Sequence, residues 1–252
     1  MTGMSGHSKW SSIKHKKGAA DAKRGKLFSK LARAITVAAR DGGGDTEGNP
    51  ALATAVQKAR EASMPKDKIQ KAIDTGTGAG SDSAAIERVL YEGYGPSGVA
   101  VLVEALTDNR NRASAEIRHA FSSHGGSLGE PGSVAWIFEK KGAVAVDAER
   151  YTEDDLMAAI DAGAEDVRED DDRLTVLCEP SDLTAVKEAL EGEGVEIVSA
   201  TIVTEPKSTV ELKGHDAERL LKLLDTLDDQ DDVDEVFANF DISEDVLEKL
   251  AA

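Results

Sequence analysis

Residues 99–106, VAVLVEAL, decide the fold class, because here the period of the apolar residues changes from that of helices to that of strands. We interpret this run as a β-strand. A helical pattern follows at 111–124, and a second strand-like run, SVAWIFE, follows at 133–139. These residues predict a β–α–β arrangement, and the chain is expected to fall in the α+β class.

The next stretch of the chain has the order of a complete ferredoxin-like β–α–β–β–α–β unit. Its expected elements are a strand at 143–147, a helix at 152–163, strands at 166–170 and 173–179, a helix at 181–192 and a strand at 195–203. Beyond Pro206 the pattern predicts a strand, a helix and a strand at 209–213, 215–228 and 233–240.

We infer two ferredoxin-like α/β domains, one inserted into the other. Residues 81–140 and 206–252 are expected to form one split α/β domain, and 141–205 the inserted one. A single long sheet is the plainer alternative, but it would leave many edge strands to protect.

The residues before the first strand have helical spacing. Helices are expected at about 22–40, 49–62 and 64–76, and TGAGSDS after them is typical of a flexible linker. Short amphipathic helices can bury their apolar stripes only against one another. Residues 21–80 are therefore expected to be a three-helix domain, preceded by a basic arm at 1–20.

Charge is distributed very unevenly along the chain. Residues 1–75 carry a net charge of +8, and residues 76–252 carry −26, which together give the −18 of the whole chain. Residues 1–40 alone carry 10 Lys and Arg and one acid. Such asymmetry indicates a basic nucleic-acid-binding segment on an acidic body.

The arm combines cations with aromatic rings. Cations supply phosphate contacts, and rings supply stacking surfaces for unpaired bases. The alternative is a solvated charge run with the tryptophan tucked into a core. The predicted nucleic-acid-binding residues of the arm are Lys9, Trp10, Lys14, His15, Lys16 and Lys17.

The first helix carries a basic stripe opposite its apolar face. On a helical wheel Leu27, Leu31 and Ile35 share one side, and the stripe is expected to face solvent. Its predicted nucleic-acid-binding residues are Lys23, Lys26, Lys30 and Arg33, to which we add Arg24, although Arg24 falls among the apolar angles.

A further candidate lies where the 99–106 strand gives way to a helix. Asp108 or Asn109 can cap that helix, and its free N–H groups together with Arg110 and Arg112 could then hold a phosphate. An ordinary capped loop with exposed arginines is the alternative interpretation.

Several function classes lack the residues they need. No run of 18 apolar residues exists, and the N-terminus lacks a secretory apolar stretch, so we expect a cytoplasmic protein without a membrane partner. The GxGxxG at 93–98 precedes a strand, so we interpret it as a turn. The histidines lack metal-ligand spacing, and Cys178 is the only cysteine, so no metal or cofactor and no enzymatic activity are expected.

Several segments resemble the YebC/PmpR family, which includes the mitochondrial translational activator of cytochrome c oxidase. The resemblance covers nearly the whole chain and rests on GHSKWSSIKHKK, DAKRGKLFSKLARAI, NPALATAVQKA, SMPKDKIQKAI, YEGYGPSGVA, LTDNRNRASAEIR and GGSLGEPGSVAWIF. It implies an N-terminal helical bundle followed by two α/β domains, and no known enzymatic activity.

The resemblance implies binding to nucleic acid, with two kinds of target. One hypothesis is a DNA-binding transcriptional regulator. The other is a ribosome-associated translation factor that binds ribosomal RNA and assists synthesis of proline-rich stretches. The interleaved Trp and His of the arm suit RNA with exposed bases. A third hypothesis, a membrane-surface protein, would need Leu27, Phe28, Leu31 and Ile35 to be exposed to lipid.

Overall fold

The computed structural model describes residues 21–78, 86–170 and 172–242. The chain divides into two compact units. Of the described residues, one unit contains Trp136–Glu211 and 237–242, and the other contains those from 21 to 135 together with Leu212–Val236.

The described residues contain seven α-helices and ten strands. The helices are α1 (Asp21–Gly42), α2 (Pro50–Glu61), α3 (Lys66–Gly76), α4 (Arg110–Ser123), α5 (Met157–Asp161), α6 (Leu183–Gly192) and α7 (Gly214–Asp228). The strands are β1 (Glu87–Tyr94), β2 (Ala100–Thr107), β3 (Ser127–Leu128), β4 (Phe138–Asp147), β5 (Ala164–Asp170), β6 (Arg173–Cys178), β7 (Ile197–Pro206), β8 (Val210–Glu211), β9 (Val233–Ala238) and β10 (Phe240–Asp241).

Helices α1, α2 and α3 bury their apolar stripes against one another, as the wheel predicts, except that Leu27 is 43% exposed. Ile35, Leu52 and Ile69 are buried in this shared core. Phe28 and Leu31 pack against it, which argues against a lipid-facing role for this side of α1.

Asn49 begins α2 and fixes the turn that precedes it. Its side chain accepts a hydrogen bond from the backbone N–H of Leu52 at 3.1 Å and donates to the carbonyl oxygens of Ala38 and Gly43, both at 2.8 Å. One buried amide thus satisfies groups at the end of α1 and the start of α2.

The first sheet has the strand order β3-β1-β2-β9. Strands β1 and β2 form an antiparallel hairpin, and β3 pairs with the outer edge of β1. The GxGxxG segment lies at the end of this hairpin and in its turn, as predicted. Gly98 has a φ of +76°, and a Cβ on Gly93 would lie 2.7 Å from the ring of Phe121.

The second sheet has the order β5-β6-β4-β7 with every neighbouring pair antiparallel. This is the strand order of a ferredoxin-like unit. Because β4 to β7 fall between β3 and β9 in the chain, one α/β domain is inserted into the other. The predicted α+β class, with a helical region followed by sheet domains, is confirmed. The boundaries expected for the arm, the helical domain, the split α/β domain and the inserted α/β domain stay a prediction.

Two strand assignments from the sequence are wrong. The strand expected at 133–139 and the one expected at 143–147 are a single strand, β4, which begins at Phe138. The residues just before it form a loop and a 3-10 turn. The sequence interpretation also missed β1, which fills the place between β2 and β3.

A buried carboxylate explains why the residues before β4 form a loop. Glu92 of β1 is 5% exposed. It accepts hydrogen bonds from the backbone N–H groups of Gly132, Val134 and Ala135 at 2.6–2.7 Å. Burial alone would raise the pKa of Glu92, but the three N–H donors outweigh burial and hold it below its usual value.

Candidate nucleic-acid interface

The predicted binding residues of the arm lie outside the described residues, and their role stays a prediction. They are Lys9, Trp10, Lys14, His15, Lys16 and Lys17. The backbone of Lys23 belongs to the first turn of α1, but its side chain is also outside the described part.

The expectation that the basic stripe of α1 faces solvent is wrong for two of its residues. The Lys30 side chain is 13% exposed, and its Nζ donates to the carbonyl oxygen of Asp228. Arg33 is 24% exposed, and its Nη1 lies 2.7 Å from Oδ1 of Asp232. Lys26 is more exposed and lies 3.6 Å from Asp231.

The partners of the stripe form one acidic run between α7 and β9, residues 228–232, which we call the acidic segment. Arg33 also donates to backbone oxygens of Leu106 and Asp231, at 3.1 and 2.8 Å. This side of α1 therefore contacts the first α/β domain. Val37 lies on the same side of the helical wheel as the basic stripe and is fully buried. An apolar residue at this position was the one sign in the sequence that this side of α1 packs against protein.

Asp232 joins the two predicted cationic regions. Its side chain is 3% exposed, and its carboxylate accepts hydrogen bonds from Arg33, from Arg112 and from the hydroxyl of Thr107. The Arg112 contact is 2.8 Å long. Hydrogen bonding to Asp232 and then to Asp108 raises the pKa of Arg112. Two arginines and one hydroxyl thus donate hydrogen bonds to the buried carboxylate of Asp232, and these bonds offset the cost of burying its charge.

The loop before α4 forms the predicted cap. The side chain of Asn109 accepts from the backbone N–H of Arg112 at 3.1 Å. Arg112 is engaged by the two carboxylates, and Arg110 is exposed but lies 3.1 Å from Glu87. Both arginines therefore pair with carboxylates of this chain, and their binding to phosphate stays a prediction.

A second set of cations on the helical domain has no carboxylate partner among the described residues. Its members are exposed and lie at the start of α1, at the end of α2 and along α3: Arg24, Arg60, Lys66, Lys68 and Lys71. The sequence interpretation included only Arg24. The apolar positions 69, 72 and 73 of α3 already indicated that Lys68 and Lys71 point away from the buried side of that helix.

Part of this set borders a groove between α1 and α3. The groove has a volume of about 390 Å³, and its lining includes Phe28, Thr36, Lys68 and Lys71. The Lys68 ammonium lies 5.4 Å from the centre of the Phe28 ring, within range of a cation–π interaction. Arg24 precedes Phe28 by one helical turn. The groove thus combines an apolar floor with cations that lack an acidic partner.

Two family models together cover most of the chain. Residues 8–79 match the N-terminal domain of the TACO1/YebC protein, and residues 86–240 match the TACO1/YebC second and third domain. The chain belongs to the TACO1/YebC family.

Relatives in the TACO1/YebC family match over nearly their whole length. A probable transcriptional regulatory protein of Rubrobacter xylanophilus is 60% identical, over 98% of this chain and 100% of the relative. One from Syntrophus aciditrophicus is 53% identical, over 99% and 100%. The crystal structure of a conserved hypothetical protein from Aquifex aeolicus superposes with a TM-score of 0.77 at 47% identity, covering 90% of this chain and 94% of that one.

The described part of this TACO1/YebC member offers little for other kinds of site. No helix within it has the length and apolar character needed to cross a membrane. Within the same residues, no three His, Cys, Asp or Glu side chains converge as metal ligands.

Proposed function

We propose that this protein is a non-enzymatic, cytoplasmic, nucleic-acid-binding regulator of gene expression, of the DNA-binding transcriptional type. The names of its relatives support regulation of transcription. The observation that carries the proposal is the set of exposed cations on the helical domain for which the described part of the chain contains no carboxylate partner. Such charges are what a protein needs to neutralise phosphates.

Some cations of the helical domain pair with acids and others do not, and this difference indicates which of them contact nucleic acid. Lys30 and Arg33 are held by the acidic segment, so they hold the helical domain to the first α/β domain. Lys68 and Lys71, at the α1–α3 groove, are available for phosphates. The arm at 1–20 precedes α1 in the chain and contains four further lysines. We assign the first contact to the groove and the arm together.

The salt dependence of binding tests this assignment. If about 5 phosphates are contacted, the log–log slope of affinity against salt is about −3.5 to −4.5. Replacing one phosphate-contacting lysine makes this slope about 1 less steep. We expect that change for Lys71→Gln, which alters the groove, with fluorescently labelled duplex DNA as the probe.

Lys66→Gln is the matched control. Lys66 lies on the same helix, is exposed and has no ion pair among the described residues, but it does not line the groove. Lys66→Gln removes the same charge as Lys71→Gln, so an effect of net charge alone would change the salt slope of both variants equally. Equal slopes for the two variants would refute the groove assignment, and a parent slope near zero would refute binding through cations altogether.

The ribosomal alternative makes a different prediction for cell lysates. On a sucrose gradient a DNA-binding regulator sediments with nucleoid fragments and is released by DNase. A ribosome-associated factor co-sediments with ribosomal particles and is released by RNase. Blotting the gradient fractions after each nuclease decides between DNA and ribosomal RNA as the partner.

A further inference from the structure

A cluster of cations lies on the helical side of the first sheet, outside the helical domain. We call it the α4–α7 patch and define it as Arg118, His119, His124, Arg219 and Lys222. Arg118 and His119 belong to α4, His124 follows its end, and the other two belong to α7.

Several observations place His119, His124, Arg219 and Lys222 close together, and Arg118 lines one groove with His119. A ring nitrogen of His124 is 2.9 Å from the hydroxyl oxygen of Thr226 on α7. The Arg219 guanidinium covers the backbone of Gly125 so closely that a Cβ there would lie 1.6 Å from it. Burial first, and then the charges of Lys222, Arg219 and His119, lower the pKa of His124.

This cluster is unusual for its part of the chain. Residues 76–252 contain 15 Lys and Arg against 41 Asp and Glu. Several other cations there pair with carboxylates, such as Arg88 with Glu104 and Arg168 with Glu205. Among the described residues, none of Arg118, Arg219 and Lys222 has such a partner. Like charges placed together destabilise a fold, and a bound anion would offset that repulsion.

A shallow depression lies beside the cluster, along the exposed side of α4. A shallow groove of about 460 Å³ runs along α4 and is lined by Asn111, Ser114, Ala115, Arg118, His119 and Ser122. Serine and asparagine side chains, like arginine, commonly donate to phosphate and sugar oxygens.

We propose that the α4–α7 patch and the adjoining α4 groove form a second contact for the phosphate groups of nucleic acid. The inference rests on the proposed function and adds a site that lies outside the helical domain and the arm. Cations near the end of α4 also complement the carbonyl groups there. That effect accounts for Arg219, beside Gly125, but not for Arg118 and His119, which lie before the last turn and line the groove.

The test removes two charges from the patch. We expect Arg118→Gln/Lys222→Gln to weaken binding of labelled duplex DNA and of single-stranded RNA, and to make the salt slope about 2 less steep. The matched control is Arg173→Gln/Lys207→Gln, which removes two exposed cations that have no described ion pair and lie in the other unit. The control is expected to keep the parent slope.

The outcomes separate this proposal from the proposed function. If the parent binds and both double variants keep its slope, the patch is not a contact, while the proposed function stands. If the parent binds neither probe, both fail. Thermal melting of each variant reports folding. If the patch variant melts early, the single variant Lys222→Gln replaces it, with an expected slope change of about 1, and an unchanged slope for that variant overturns the proposal.

Discussion

Replacing Asp232 by Asn tests the ion network between the helical domain and the first α/β domain. The substitution keeps the size of the side chain, but its NH2 group now faces donors on Arg112 and Thr107. Removing one partner of a buried ion pair costs about 3–5 kcal/mol. Because Arg112 is 43% exposed and stays hydrated, we expect the lower end, about 3 kcal/mol.

Urea unfolding at pH 7, followed by circular dichroism, measures the loss. For a chain of this size, a loss of about 3 kcal/mol also lowers the Tm by about 6–12 °C. The control is Asp231→Asn, one residue away. Its side chain is 65% exposed and pairs with Lys26 at 3.6 Å, so we expect a loss of at most about 1 kcal/mol. If both variants lose the same small amount, the network does not stabilise the fold and our reasoning about the stripe is wrong.

Three further perturbations follow from the same contacts. Reversing Lys26, Lys30 and Arg33 to Glu is expected to lower the Tm sharply, because new carboxylates would meet the acidic segment; an unchanged melting curve would contradict the observed pairing. Glu92→Gln is expected to cost about 1–3 kcal/mol at pH 7. Because the folded pKa of Glu92 lies below its ordinary 4.5, the difference from the parent should shrink in urea melts only as the pH falls below that value. Burial and a neighbouring carboxylate raise the pKa of Asp234 from 3.8 to about 6, so its ionisation costs stability as the pH rises through 6. Asp234→Asn is therefore expected to stabilise the protein at pH 8 and to change little at pH 4, and a pH-independent difference would rule this out.

The parts of the fold that the sequence predicted are those with strong periodicity. The alternation of strands and helices from 143 to 203 predicted the second sheet and its ferredoxin-like order. The helical spacing before residue 77 predicted three helices and their shared core. In both regions local pattern and tertiary burial agree, so the period alone is sufficient.

The errors arose where tertiary contacts override local pattern. Strand β1, ERVLYEGY, places a glutamate at a buried position, so it lacks a simple apolar alternation. The burial of Glu92 is possible because three N–H groups of a distant loop bind it. The same contacts turn the residues before Phe138 into a loop, although their composition favours a strand.

The sequence predicted that α1 is rich in cations, but not which of these cations pair with acids of the same chain. A helical wheel gives the direction in which Lys30 and Arg33 point from the helix axis, but not which part of the protein faces them. Their partners lie about 200 residues further along the chain, which no local pattern reveals. Lys68 and Lys71, which have no carboxylate partner within the described ranges, were within reach of the same method, because Ile69 and Ala72 already fix the buried side of α3.

The pairing of Arg33 with Asp232 has a consequence for the order of events during translation. Asp232 follows Arg33 by 199 residues and Arg112 by 120. At about 5–20 residues per second, a nascent chain waits about 10–40 s between the synthesis of Arg33 and that of its acid partner. Throughout that interval β2 lacks its neighbour β9, and the stripe of α1 lacks its counter-charges. A chain stalled after Thr107 and before Asp228 therefore presents an open sheet edge and a bare cationic helix together.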